Sequence, residues 1–424
     1  MAIRTKEQLR DFVHETVRTT PITDIHTHLF TEAFGDLLLW GIDELLTYHY
    51  LVAETLRFHP QLPYESFWAM SKREQADLVW QTLFIDHTPY SEACRGVLTV
   101  LCKLGLDVES RDLASYRAYF EVTPLNEHIT NIFRLAGVTS ACMTNDPFVD
   151  KEREAWVALA EVDPRFHTAL RIDPLLNQWE TTWSKLADWG YEVEEALTER
   201  SYAGIRRFLN DWIDRMNPLY MAVSLPPSFA FPEDSARGRI IANAIVPVAR
   251  ERDIPFAMMI GVKKRVNPAL GDAGDSVGKA DVTAVEAICA LYPENKFLVT
   301  MLSRDNQHEL AVAARKFRNL LVFGCWWFLN NPSLIEEITR MRFELLGTSV
   351  IPQHSDCRVL DQMLYKWDHS RSIIAKVLTD KYGDIMDTGW MPAETEIKRD
   401  VADLFGETFW RFLGKPNPAR AVEA

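Results

Sequence analysis

Apolar side chains recur along the chain in short runs rich in branched and aromatic residues. Longer stretches separate them, in which apolar positions return every three or four residues. The first pattern suits a strand buried on both faces, the second an amphipathic crossover helix. Eight runs qualify: "ITDIHTHLF", "TSACMTNDPF", "FHTALRIDPL", "YMAVSLPPSF", "IPFAMMIGV", "KFLVTML", "LLVFGCWWF" and "SVIPQHSD". Connectors such as "SARGRIIANAIVPVARERD" and "VTAVEAICALYPEN" lie between several of them. Such alternation predicts an α/β protein with a parallel sheet, and eight strands predict a (β/α)8 TIM-like barrel.

The spacing breaks once. Residues 31–137 separate the first two runs, far more than one crossover needs. Within them "YESFWAMSKREQADLVWQTLF" sets Phe67, Trp68, Leu78, Trp80, Leu83 and Phe84 among charged residues, so the insertion is expected to be mostly helical. "LRDFVHETV" predicts a short helix ahead of strand one. The chain then divides into a barrel, 1–30 with 138–424, and a helical insertion, 31–137.

Charge narrows the partners. Against 46 Lys and Arg stand 60 Asp and Glu, a net −14 that repels polyanions and argues against nucleic acid. An anionic substrate would need local arginines. The start, "MAIRTKEQLRDFVHETV", lacks the apolar core of a signal peptide, and no long apolar stretch predicts a membrane span. The six cysteines are scattered without a CxxC, as expected of reduced thiols in a cytoplasmic protein. Size and acidity point to a homo-oligomer.

Chemistry in such barrels sits at the C-terminal ends of the strands. There "DIHTHLF" puts His26 and His28 on one face, since strand side chains alternate. Asp356 ends the eighth strand, which neighbours the first in a closed barrel. Two imidazoles and a carboxylate suit one divalent ion, most naturally zinc, with positions left open for substrate. Arg171 and Asp173 end strand three, and His354 and Arg358 flank Asp356. The His-x-His and Asp alone equally permit a mononuclear metal-dependent hydrolase or decarboxylase.

Taken together, "DIHTHLF", the "HY" of "LLTYHYLVAE", "LRIDP", "GCWWF" and the Ser-Asp-x-Arg of strand eight resemble the amidohydrolase superfamily, and within it the uronate isomerases. The resemblance runs nearly the whole length. It implies a small-molecule uronate substrate and an aldose–ketose isomerase, interconverting D-glucuronate with D-fructuronate and D-galacturonate with D-tagaturonate. Hydrolases of the superfamily commonly add a strand-four bridging residue and histidines on strands five and six. None stands at those strand ends here, so one metal is expected. The chain also departs from many uronate isomerases, with "MIG" for a strand-five "HIG" and Leu51-Val52 for a Trp-Arg pair, as in a divergent, shorter branch.

The implied chemistry moves a proton from C2 to C1 through a cis-enediol, which needs a base, a shuttle and an anchor. Asp356 is the expected base, alone or through a substrate hydroxyl, and Tyr50 and Arg358 the expected shuttles. Arg171 would hold the carboxylate with its fork, unless it pairs internally with Asp173. His49 would bind a sugar oxygen, which brings the insertion into the site. Lys263, Lys264 and Arg265, after strand five, are either a solvated loop or part of the anion site.

Overall fold

The computed structural model describes residues 3–158 and 162–421. Among the described residues nine strands form: β1 (Ile22–Thr27), β2 (Val138–Asn145), β3 (Phe166–Arg171), β4 (Met221–Leu225), β5 (Phe256–Ile260), β6 (Val262–Lys263), β7 (Ser276–Val277), β8 (Phe297–Met301) and β9 (Leu320–Val322). Seven of them make one parallel sheet in the order β1-β2-β3-β4-β5-β8-β9, while β6 and β7 pair as a small antiparallel ribbon. Every side chain of β5 and β8 is buried, as the unbroken apolar runs require.

The eighth run behaves differently. It forms an isolated parallel bridge, Phe323 with Ile351, where the amides of Gly324 and Ile351 donate across to Ile351 and Val322. On its other side Asp356 N–H donates to the His26 carbonyl (3.1 Å) and His28 N–H to that of Cys357 (2.8 Å). A regular ladder is prevented by Pro352, which has no N–H, and by Asp356, whose φ of 52° is left-handed.

Between β1 and β2 the chain is helical, as expected. Helix Lys72–Trp80 opens with a capping box of Ser71 and Glu74. Helix Leu125–Ala136 buries Ile129, Ile132 and Phe133 and stops at Gly137, whose left-handed φ turns the chain into β2. This region docks on the segment just past Asp356. Leu39 bridges to Val359, and the buried Asp361 carboxylate accepts from Gly41 N–H (2.8 Å) and pairs with buried His128 Nε2 (2.6 Å). Trp68 Nε1 donates to the Ala269 carbonyl, tying the same region to the loop between β6 and β7. No helix among the described residues is long and apolar enough to cross a membrane.

Candidate active site

His26, His28 and Asp356 converge at the C-terminal edge of the sheet, their ligand atoms all within 4.8 Å of one another. Asp356 Oδ1 lies 3.7 Å from His26 Nε2 and 3.4 Å from His28 Nε2. The neighbours of the imidazoles fix their tautomers. Tyr220 spends its one hydroxyl proton on the Ile25 carbonyl (2.7 Å), so its oxygen can only accept from His26 Nδ1 at 3.1 Å. Thr144 likewise donates to the Thr27 carbonyl (2.9 Å) and accepts from His28 Nδ1 at 3.0 Å. Both rings therefore turn an Nε2 lone pair toward Asp356. Burial pushes both imidazoles well below their ordinary pKa, keeping them neutral.

His26 Nε2 and Asp356 Oδ1 are buried with no protein partner. Two neutral imidazole lone pairs and a carboxylate oxygen, each braced from behind, fit a divalent cation. Among the described residues no other group of three such side chains comes together. Met259, on β5, lines the cavity beside Asp356, and β8 ends in Met301, so neither strand supplies a second set of ligands.

Asp24, the first residue of the motif, does not face an ion. Its fully buried carboxylate accepts from Ser355 N–H (3.1 Å) and Trp367 Nε1 (2.8 Å), and burial raises its pKa to about 6. It thus fixes the backbone one residue before Asp356. His354 stands behind His26, rings 5.2 Å apart, buried and with neither ring nitrogen partnered.

Arg171 reaches the cavity wall together with Tyr48, His49, Lys264 and Arg358. Its guanidinium is already gripped side-on by Asp173, Nε to Oδ2 at 3.0 Å and Nη2 to Oδ1 at 2.8 Å. Asp173 is itself fixed by Ser224 N–H. Asp146 and Glu152 lie nearby; burial raises their pKa values to about 6 and about 7. Nη1 is the edge of Arg171 left to a ligand. Arg358 Nη1 pairs with Asp272 at 3.3 Å, on the loop between β6 and β7. All three basic residues after β5 are exposed; Lys264, held by Asp275 at 2.7 Å, is the one that lines the cavity.

His49 opens helix His49–Phe58, its Nε2 buried without a partner, and burial lowers its pKa to about 3. The Tyr50 ring packs 4.6 Å from His49 and 6.3 Å from Phe328. Tyr48, Tyr220, Thr144 and Asp24 are the site residues that sequence reasoning missed. Only Asp24 carried a local signal, through its place in the motif.

No family model and no curated protein sequence matches the chain. Among solved structures it is similar to a uronate isomerase from Bacillus halodurans C-125, with 60% identity, all of both chains covered and a TM-score of 0.98. A uronate isomerase from Thermotoga maritima (16% identity, 97% of this chain and 100% of that one, TM-score 0.75) shares the fold. So does a glucuronate isomerase from Caulobacter crescentus (13% identity, 97% and 95% covered, TM-score 0.78). With full-length identity of 60% and the braced His26, His28 and Asp356 cluster in place, the chain belongs to the uronate isomerase family and is an aldose–ketose isomerase.

Proposed function

We propose that the protein interconverts D-glucuronate with D-fructuronate and D-galacturonate with D-tagaturonate, using one divalent ion, zinc, held by His26, His28 and Asp356. The observation that carries this reading is the pair of tautomer-locked imidazoles facing an orphaned carboxylate oxygen, in a cavity whose other charged wall groups include Arg171, Arg358 and Lys264. The bound ion supplies Lewis acidity, polarising substrate oxygens. Asp356 removes the C2 proton, alone or by way of a substrate hydroxyl, and delivers a proton to C1. Tyr50 and Arg358 pass the hydroxyl proton from the oxygen on C2 to that on C1. Arg171 holds the uronate carboxylate. Because Asp173 occupies its side-on fork, it acts as a rigidly aimed charge through Nη1, not as a free bidentate clamp. His49 takes a sugar oxygen, and Lys264 adds to the anion field.

In this reading the seven parallel strands and the segment 351–357 close a (β/α)8 barrel, and residues 31–137 form an insertion folded over its mouth. The protein works as a cytoplasmic homo-oligomer.

The direct test is an assay of metal-loaded protein with both uronates, following ketose formation. C2-deuterated glucuronate should react more slowly where chemistry limits the rate, with deuterium at C1 or exchanged into water. Absence of ketose from either substrate would overturn the proposal. The bracing also makes a prediction. Tyr220→Phe deletes the acceptor that holds His26 in its binding tautomer, so the ion should bind about 10–100-fold more weakly in a chelator competition. Unchanged affinity would mean that the ring needs no such partner.

A further inference from the structure

Lys366 lies near the start of helix Gln362–Asp387, a few residues past Arg358, and is only 4% exposed. Its Nζ sits 5.0 Å from the ring centroid of Tyr365 and 5.8 Å from that of Tyr50. Among the described residues no carboxylate pairs with this ammonium and no protein acceptor takes its protons. Asp356 and Glu92 are the acidic groups whose fields reach it, and its own charge is felt at His49 and His354. A buried, unpaired ammonium opposes folding, because burial strips its hydration and aromatic faces restore only part of it. A methionine, one atom shorter and uncharged, would fill most of the space at less cost.

The charge is therefore placed for something other than stability; it lies against two phenol rings, Tyr365 and Tyr50, and Tyr50 is the one read above as a proton carrier. We propose that Lys366 is a positioning residue for the proton transfer, its ammonium holding the Tyr50 ring and stabilising negative charge on the phenolic oxygen as that group hands its proton on. The phenol gives its proton to the oxygen on C1 and takes the one leaving the oxygen on C2, so it ends each turnover unchanged. Negative charge appears on it only in passing. A fixed cation behind the ring lowers the barrier without binding the substrate more tightly in its ground state. This inference rests on the reading of Tyr50 as a proton carrier.

Lys366→Met, Lys366→Arg, Tyr50→Phe and the Lys366→Met/Tyr50→Phe double variant, each metal-loaded, test it with glucuronate as substrate. Lys366→Met should lower kcat about 10–100-fold, leave KM within about threefold and the metal content intact, and keep or raise Tm. Lys366→Arg, which keeps the charge, should retain at least about a third of kcat. In the Tyr50→Phe background the Lys366→Met loss should vanish, because the charge acts through the phenol. The proposal is overturned if Lys366→Met keeps more than half of native kcat, if it unfolds or loses Tm along with activity, or if the two losses simply multiply. Full turnover by Tyr50→Phe would sink the Tyr50 reading and this inference with it. An impaired Tyr50→Phe beside an active Lys366→Met would sink this inference alone.

Discussion

Asp356→Asn should lower turnover of glucuronate by at least about 10³-fold, within the range expected when a positioned base is lost. Asparagine is the informative replacement. It tolerates the left-handed φ of 52° that position 356 adopts, so the backbone bonds from residue 356 N–H to His26 and from His28 N–H to Cys357 survive, whereas alanine would add strain. The amide also keeps an oxygen for the ion but loses the negative charge, so metal affinity should fall together with rate. The two losses are separable. Raising free zinc until elemental analysis shows one ion per chain should restore occupancy and leave kcat low. A loaded Asp356→Asn enzyme working within tenfold of the native one would remove Asp356 as the base and leave it a ligand only.

Tyr50→Phe is expected to cost about 10²-fold or more in kcat with full metal content, since Tyr50 is not among the three converging ligands. Its ring is held between His49 and Phe328, and phenylalanine keeps that packing, so Tm should hardly move. Removing only the hydroxyl takes away the group that can both give and accept a proton. The measurement is a comparison of kcat, metal content and deuterium washout from C2-deuterated substrate. Near-normal turnover at full occupancy would pass the shuttle to Arg358, whose Nη1 must then leave Asp272 to serve.

Much of this was legible in the sequence for a simple reason. Strands of a parallel sheet are buried on both faces, so "FAMMI" and "FLVTM" announce themselves as continuous apolar runs. The eighth run carried the same signal but also Pro352 and a left-handed Asp356, and these reduced it to a bridge. The His-x-His spacing placed two ligands because alternation along a strand is a local rule. What fixes their tautomers was not legible. Tyr220 lies 194 positions from His26 and Thr144 lies 116 from His28, and neither stands in a motif. Arg171 shows the converse. The charge was visible and so was Asp173 beside it, but whether the fork stayed free depended on side-chain geometry.

The bond from Ser355 N–H to Asp24 joins residues 331 positions apart. The whole stretch between the His-x-His motif and Asp356 must therefore be made before the third donor can meet the first two. At ordinary translation rates that interval is on the order of 20–70 s. Through it the emerging chain carries two imidazoles able to catch a metal only weakly and with no means of choosing it. On the proposed reading, selectivity and tight capture arrive only when Asp356 does, so the choice of ion is made after the seven strands of the parallel sheet have been synthesised.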